Sequence, residues 1–566
     1  MMRFLNRLIM SIAILICPFF SAPGVLGMEP PLLSGSYVVF QLESGFHGPD
    51  SVGDFGPNQQ IFLSKSEITL NQDGSYAERI RDKMINRFIT DEWVDQSIAD
   101  PYDQDWYART RFQTSYLDYG EETVSGTYLI GPDGSIIFKF MEDGAPETMT
   151  GLLDDKTICL ILGKTEYKAA GGSAMSGIGF GVKKGMGMNK GSITGTYITY
   201  IMGMSFHGKD ENNHFGPNED IVLDKSEITF DGKGHYEERY TNKRIRRHID
   251  DIITNQGTQE PPIDNDQVNQ THFTTTLITD PEEILNGTYD VGDDGTITFS
   301  FEEDGELVSV TGHVSADGRI FVFGNMEHHP NEGYATSEMV LAVKKAAGLN
   351  NSHLKGSYAG YLFEKTFHGP GPDGNFGPNE EVFVGKSVIQ FDGDGHFTEA
   401  LREEKIERQI SDSQFNQSGP TDLDWLNLKK FKTTYAVLTD EITGTYQVNS
   451  DGTVTLNFME DGENVTLTAY LSDDGNKLVH GTVEYELAGA WAGIELTFLA
   501  KQGYYAPEKG DIDGNGMVSL ADVIAALQTI TGKAPENIYI EADVNGDAKI
   551  GNEEAIYLLQ RLGGLR

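Results

Sequence analysis

Cysteine is nearly missing from this sequence, with two in 566 residues. One of them, Cys17, lies in an N-terminal apolar run expected to be removed, so Cys159 has no partner for an intramolecular disulfide. Within Thr157-Ile158-Cys159-Leu160-Ile161 it reads as a small buried apolar side chain rather than a reactive thiol. Proline is scarce beside glycine, 20 against 65, which is the composition of short antiparallel strands joined by tight turns. Positive charge is scarce too: 43 Lys and Arg face 86 Asp and Glu, for a formal net charge of −43. Without a basic cluster there is no phosphate-binding surface, which excludes nucleic acid as a partner, while so many carboxylates attract cations. Also missing are Gly-x-Ser-x-Gly, His-Glu-x-x-His, a phosphate loop and a Cys-His nucleophile pair, so no catalytic residue is assigned.

What is present begins with export. Arg3 and Arg7 precede an apolar run from Leu8 to Phe20, then small residues and a cut after Gly27, the pattern of a signal peptide over residues 1–27. The bulky Ile16 before Cys17 fits lipoprotein processing poorly. A secreted or extracellular chain is therefore expected, including one held at a cell surface, with no transmembrane segment after cleavage.

Self-similarity organises the rest. Phe46-His47-Gly48 returns as Phe206-His207-Gly208 and Phe367-His368-Gly369, and Phe55-Gly56-Pro57-Asn58 returns as Phe215-Gly216-Pro217-Asn218 and Phe376-Gly377-Pro378-Asn379. The copies run over 35–185, 195–346 and 356–503, a period long enough for each to close its own core. Within a copy, Gly-Thr-Tyr at Gly126, Gly287 and Gly444 opens a strand that runs to an Asp-Gly turn at Asp133, Asp294 and Asp451, where glycine supplies the positive φ of a hairpin. Ile297, Phe299 and Phe301 then alternate with Thr296, Thr298 and Ser300, one face buried and one wet. The fold class is mainly β: three tandem antiparallel barrels or sandwiches of about eight strands each, followed by a small helical module. The segment after Glu78, Glu238 and Glu399 reads as an extended arm or a short helix, since Ile80, Met84, Ile85, Phe88 and Ile89 fit helical spacing. The Gly-x-Tyr opening and hairpin order resemble lipocalin-type barrels in shape, which implies a small-ligand carrier as one alternative.

Candidate ligand-loop residues in the copies are His47 and Asn58, His207 and Asn218, and His368 and Asn379. They are expected at a barrel mouth beside Asp50, Asp54, Asp210 and Asp373, facing a ligand or bonding to the backbone of a Gly-Pro-rich loop. Glu142-Asp143, Glu303-Asp304 and Glu460-Asp461 read as turns, because adjacent residues cannot face each other across a glycosidic bond. Asp392-Gly393-Asp394-Gly395 likewise reads as a hairpin. Trp106 and Trp425 occupy matching places where the second copy has Gln267, as loop anchors or sugar-stacking rings.

The sharpest motif follows Tyr505. Asp511, Asp513, Asn515, Met517 (through its carbonyl), Ser519 and Asp522 stand at loop positions 1, 3, 5, 7, 9 and 12, with Gly516 at the sharp sixth position, the oxygen spacing of a calcium loop. The pattern returns 32 residues later as Asp543, Asn545, Asp547, Lys549 (through its carbonyl) and Glu554. Ile524 and Leu527 recur as Ile556 and Leu559, an apolar stripe expected to pack the two helices on each other. Residues 507–566 resemble the type I dockerin family. The resemblance implies two bound Ca2+ ions, a cohesin-like partner and a place in polysaccharide-degrading assemblies. Ala548 departs from the usual glycine at position 6, Gly551 offers no side-chain oxygen at position 9, and Leu520-Ala521 and Asn552-Glu553 stand where small hydroxyl residues are usual for partner choice.

These readings together describe a secreted calcium-binding protein with three β-repeats and an attachment module, in a non-catalytic binding or structural role. The alternative is a component of polysaccharide breakdown that binds glycan or, as an enzyme, hydrolyses glycosidic bonds.

Overall fold

A computed structural model describes residues 33–502 apart from 50–53, 96–105, 132, 143, 210–214, 256–266, 304, 371–375, 417–424 and 461, and, beyond these, residues 510, 512, 520–531, 533, 542, 544–545 and 549–562. The expected signal peptide, Asp50, Asp210, Asp373, Asp143, Asp304 and Asp461 therefore lie outside the described residues. No helix among the described residues is long and apolar enough to cross a membrane.

The expected mainly-β architecture is observed, and the alternative left open between barrel and sandwich resolves to barrels. In the first copy eight strands from Gly35–Pro49 to Ser173–Lys183 pair in sequence order, and the last returns to the first through Tyr37↔Lys183 to Phe46↔Ala174. The third copy repeats this from Lys355–Pro370 to Trp491–Lys501. In the second copy the long third strand is broken into His235–Thr241 and Lys243–Asn255 and the long fourth into Gln267–Thr279 and Glu283–Val291, giving a ten-stranded sheet. Phe215–Phe230 pairs with both pieces, and His235–Thr241 pairs on to Glu283–Val291, so the ring of pairings is complete there too. The Asp-Gly turns behave as their chemistry requires. Gly134, Gly295 and Gly452 have φ of 79, 91 and 87°, and the Asp before each accepts the N–H of the residue after it. Asp392 Oδ1 accepts three consecutive N–H groups from Asp394, Gly395 and His396, a hairpin turn like that at Asp231.

The segment left between arm and helix is strand. Ser75–Asp95 pairs with Trp106–Ile130, and His396–Asn416 with Trp425–Val448, in hairpins far longer than a barrel wall. Ile85 and Ile89 are buried on one face of this strand and Met84 on the other, so helical spacing arose because both faces are covered. Trp106, Gln267 and Trp425 open the return strands; the side chains of Trp106 and Trp425 lie outside the described part.

Each copy closes a core of its own, around Tyr76 and Phe138 in the first, Phe230 and Phe299 in the second and Phe391 and Phe397 in the third, and a further core is shared. One continuous apolar cluster runs through all three, including Phe40, Phe46, Tyr200, Phe206, Tyr361 and Phe367. Phe40 lies against Gly324, Tyr200 against Gly481 and Tyr361 against Gly163, so that each barrel leans on the next and the third returns to the first. A Cβ at those glycines would sit 3.0, 2.5 and 2.3 Å from the ring. Glycine is required for this approach, and its threefold recurrence makes the molecule a closed pseudo-threefold ring.

Candidate functional site

The axis of the ring is ionic. Arg87, Arg247 and Arg408 stand at equivalent places on the three arms and are fully buried. Each crosses into the next barrel: Arg87 donates to the Gly216 carbonyl at 3.0 Å, Arg247 to Gly377 at 3.2 Å and Arg408 to Gly56 at 3.0 Å. Their guanidiniums stack on Phe206, Phe367 and Phe46 at 4.3–4.4 Å. Thr114, Thr275 and Thr433 donate to the carbonyls of Phe215, Phe376 and Phe55. The repeated Phe-His-Gly and Phe-Gly-Pro-Asn motifs are thus surfaces on which the neighbouring barrel's arm docks.

Buried charge of this kind is tolerable only when paired and hydrogen-bonded. Arg247 reaches Glu219 and Glu380, both at 2.6 Å, Arg87 reaches Glu219 and Gln59, and Arg408 reaches Glu380 and Gln59. Lys365, also fully buried, bridges Glu380 at 2.6 Å and Glu219 at 3.0 Å. Burial opposes ionisation of both glutamates, yet the surrounding cations hold them below the ordinary carboxylate range, while burial lowers Arg87 to about 10. Ile89, Phe112, Ile249, Phe273, Ile410 and Phe431 form an apolar cluster further along the arms. Beyond them Asp251, Asp412 and Asp91 accept the backbone N–H of Thr110, Thr271 and Lys429 from the adjacent arm.

The candidate His and Asn residues meet, but on strands rather than in a loop. His47↔Asn58, His207↔Asn218 and His368↔Asn379 are register partners across the first two strands of each barrel. Asn58 and Asn218 each lie 3.4 Å from the Nδ1 of their histidine, and the far nitrogens face Asn86 at 3.4 Å, Asp220 at 3.0 Å and Glu381 at 3.1 Å. His368 is fully buried rather than at a rim. It, Glu381 and Glu407 bring possible ligand atoms within 4.8 Å of one another, but Lys405 Nζ lies 2.6 Å from Glu381. Glu381 is thus already paired with a cation. Asp54 immediately precedes the strand Phe55–Leu70, 3.8 Å from Lys430.

Barrel three encloses a cavity of about 430 Å3. Its floor is apolar, with Ile389, Phe397, Leu456, Leu478 and Leu499. Pairing registers place His480 beside Thr497 one step up, and Glu495 beside Glu364 above that. Nine glutamates line the space against one lysine, Lys405. Burial, together with the charges of Glu495, Glu403, Glu381 and Glu484, raises the Glu364 carboxyl well above its ordinary range. The other barrels differ at the same places. Glu43 faces Lys164 in the first, and in the second Gly203 replaces the glutamate while Asp220 is held by Arg246 at 2.8 Å. Sequence reasoning missed both this cavity and the arginine ring. The arginines recur at the repeat's own step, a signal that was readable.

In the C-terminal module the helices α1 (Leu520–Ile530) and α2 (Asn552–Leu562) share a cluster of Ile512, Val523, Ala526, Ala542, Ala555 and Leu558. The stripe expected to join them does not. Ile524, Leu527, Ile556 and Leu559 are 49, 49, 55 and 54% exposed, because the closely packed helices meet through alanines on the neighbouring face. Asp522 and Glu554, at the last position of each loop, are buried at 0 and 1% exposure. Glu554 accepts the N–H of Val544 at 3.3 Å and of Gly551 at 2.6 Å. Asn545 and Lys549 are exposed. Asp511, Asp513, Asn515, Met517, Ser519, Asp543 and Asp547 lie outside the described residues.

No family model and no curated protein matches the chain. Among solved structures it is similar to a double mutant of the vaccine antigen transferrin-binding protein B from Haemophilus parasuis, at 8% identity and TM-score 0.21, over 85% of this chain and 78% of that one. Intact Ap-TbpB, with N and C lobes, gives 8% identity and TM-score 0.20 over 85 and 97%. A mutant ferric enterobactin receptor from Pseudomonas aeruginosa gives 9% identity and TM-score 0.13 over 83 and 82%. Likenesses this slight carry no functional argument.

Proposed function

We propose that this chain is an exported, non-catalytic binding protein in which the three-barrel ring is a rigid scaffold and residues 507–566 are a calcium-ordered attachment module of dockerin type. One observation carries the reading. Ile524, Leu527 and Ile530 on α1, and Ile556, Leu559 and Leu562 on α2, are related by the same 32-residue step and all 41–55% exposed. Two matched apolar faces left in water on helices this short form a surface shaped for a partner. The burial of Asp522 and Glu554 fits a group that takes carboxylates out of water. They would hold calcium with Asp511, Asp513, Asn515, Ser519 and the Met517 carbonyl in one loop, and with Asp543, Asn545, Asp547 and the Lys549 carbonyl in the other. Bound Ca2+ supplies the charge that orders loops this acidic.

The partner proposed is a cohesin-like domain. Full-length chain passed over an immobilised cohesin should be captured in calcium and released by chelator, and Ile524→Asp with Leu559→Asp should lower capture at least tenfold while helicity persists. Capture indifferent to both chelator and these substitutions would overturn the reading. Retention on a polysaccharide instead would favour the glycan-binding alternative.

A further inference from the structure

We propose that barrel three is a binding site for an organic ammonium ion with an apolar body, the cation meeting the ring of glutamates and the hydrocarbon filling the floor. The cavity of about 430 Å3 falls within the range of ligand sites, about 300–1,000 Å3. Its lining changes character with depth, from aliphatic and aromatic side chains at the bottom to carboxylates above.

The second observation is His480, 9% exposed and lining this cavity. Its Nδ1 lies 2.8 Å from the Thr468 carbonyl, so that nitrogen carries the proton and donates. In the neutral ring its Nε2 is a lone-pair acceptor, and it is buried and without a partner among the described residues. A bare acceptor beside an excess of carboxylates asks for a donor-only, positively charged group, which is the chemistry of an ammonium. A hard divalent ion would take the carboxylates alone, but it leaves the apolar floor unused. Within the cluster of His368, Glu381 and Glu407, Glu381 is already paired with Lys405 at 2.6 Å. Barrels one and two place Leu162 and Phe323 where barrel three has His480, which confines the site to the third copy.

The proposal is independent of the C-terminal module, and its test is run in chelator so that the two fail separately. Titration calorimetry of the full chain with hexylammonium, hexan-1-ol and hexanoate should show one site for hexylammonium and none for hexanoate. Glu364→Gln with Glu495→Gln should weaken it at least tenfold, and His480→Phe at least threefold. The double glutamine variant relieves repulsion and is expected to melt no lower than the parent, so lost binding cannot be ascribed to lost folding. Hexan-1-ol binding as tightly as hexylammonium, unchanged affinity in the glutamine variant, or hexylammonium binding unaltered by His480→Phe would each overturn the assignment.

Discussion

Arg247 differs from Arg87 and Arg408 in touching both glutamates, whereas each of the others shares one glutamate and Gln59. Arg247→Met therefore removes from both buried carboxylates one of the two cations they share, leaving Lys365 as the other. It should cost about 3–5 kcal/mol, read as a lowered midpoint in denaturant unfolding. Asp224 gives a pH signature. Burial raises its carboxyl from 3.8 to about 7, although it accepts the Lys243 N–H at 2.7 Å. The folded state thus holds a proton that the unfolded state has released across that interval, so this group's contribution to stability falls as pH rises from about 4 to 7. Urea titrations across the window should show that decline, and Asp224→Asn should flatten it.

At the scale of elements, three inter-barrel contacts of an aromatic ring on a glycine fix the spacing of the walls. Gly481→Val would drive side-chain atoms into Tyr200, where a Cβ alone lies 2.5 Å from the ring. A loss of about 1–3 kcal/mol is expected in the same unfolding measurement. Hairpins and strands were legible in the sequence because Asp-Gly turns and two-residue alternation are local signals, as at Asp294 and Ile297. The arms were not, because Ile85 and Ile89 on one face and Met84 on the other are all buried and the period of two is lost. Phe46 and its counterparts were visible as recurring residues, but a recurring residue does not say which neighbour it faces. In the C-terminal helices the repeat marks Ile524 and Leu527 as the seam, whereas small Ala526 and Ala555 bring the helices together and leave the larger residues outside. The barrel-three cavity is not legible in the sequence because its glutamates are scattered over several strands and converge only when the sheet closes.

At the scale of the whole molecule, the three barrels form a ring whose shared apolar core crosses every barrel boundary. A ring closed by shared buried charge should unfold as one unit, so scanning calorimetry of residues 35–503 is expected to give a single transition rather than three. Under the proposed function, calcium orders residues 507–566 and leaves the ring unchanged. The measurement that tests this most directly is hydrogen exchange by mass spectrometry on the full chain, with calcium and with chelator. Calcium is predicted to slow exchange strongly across residues 507–566 and to leave residues 35–503 unchanged. Equal exchange of the tail in both conditions, or a calcium response located in the barrels, would contradict it.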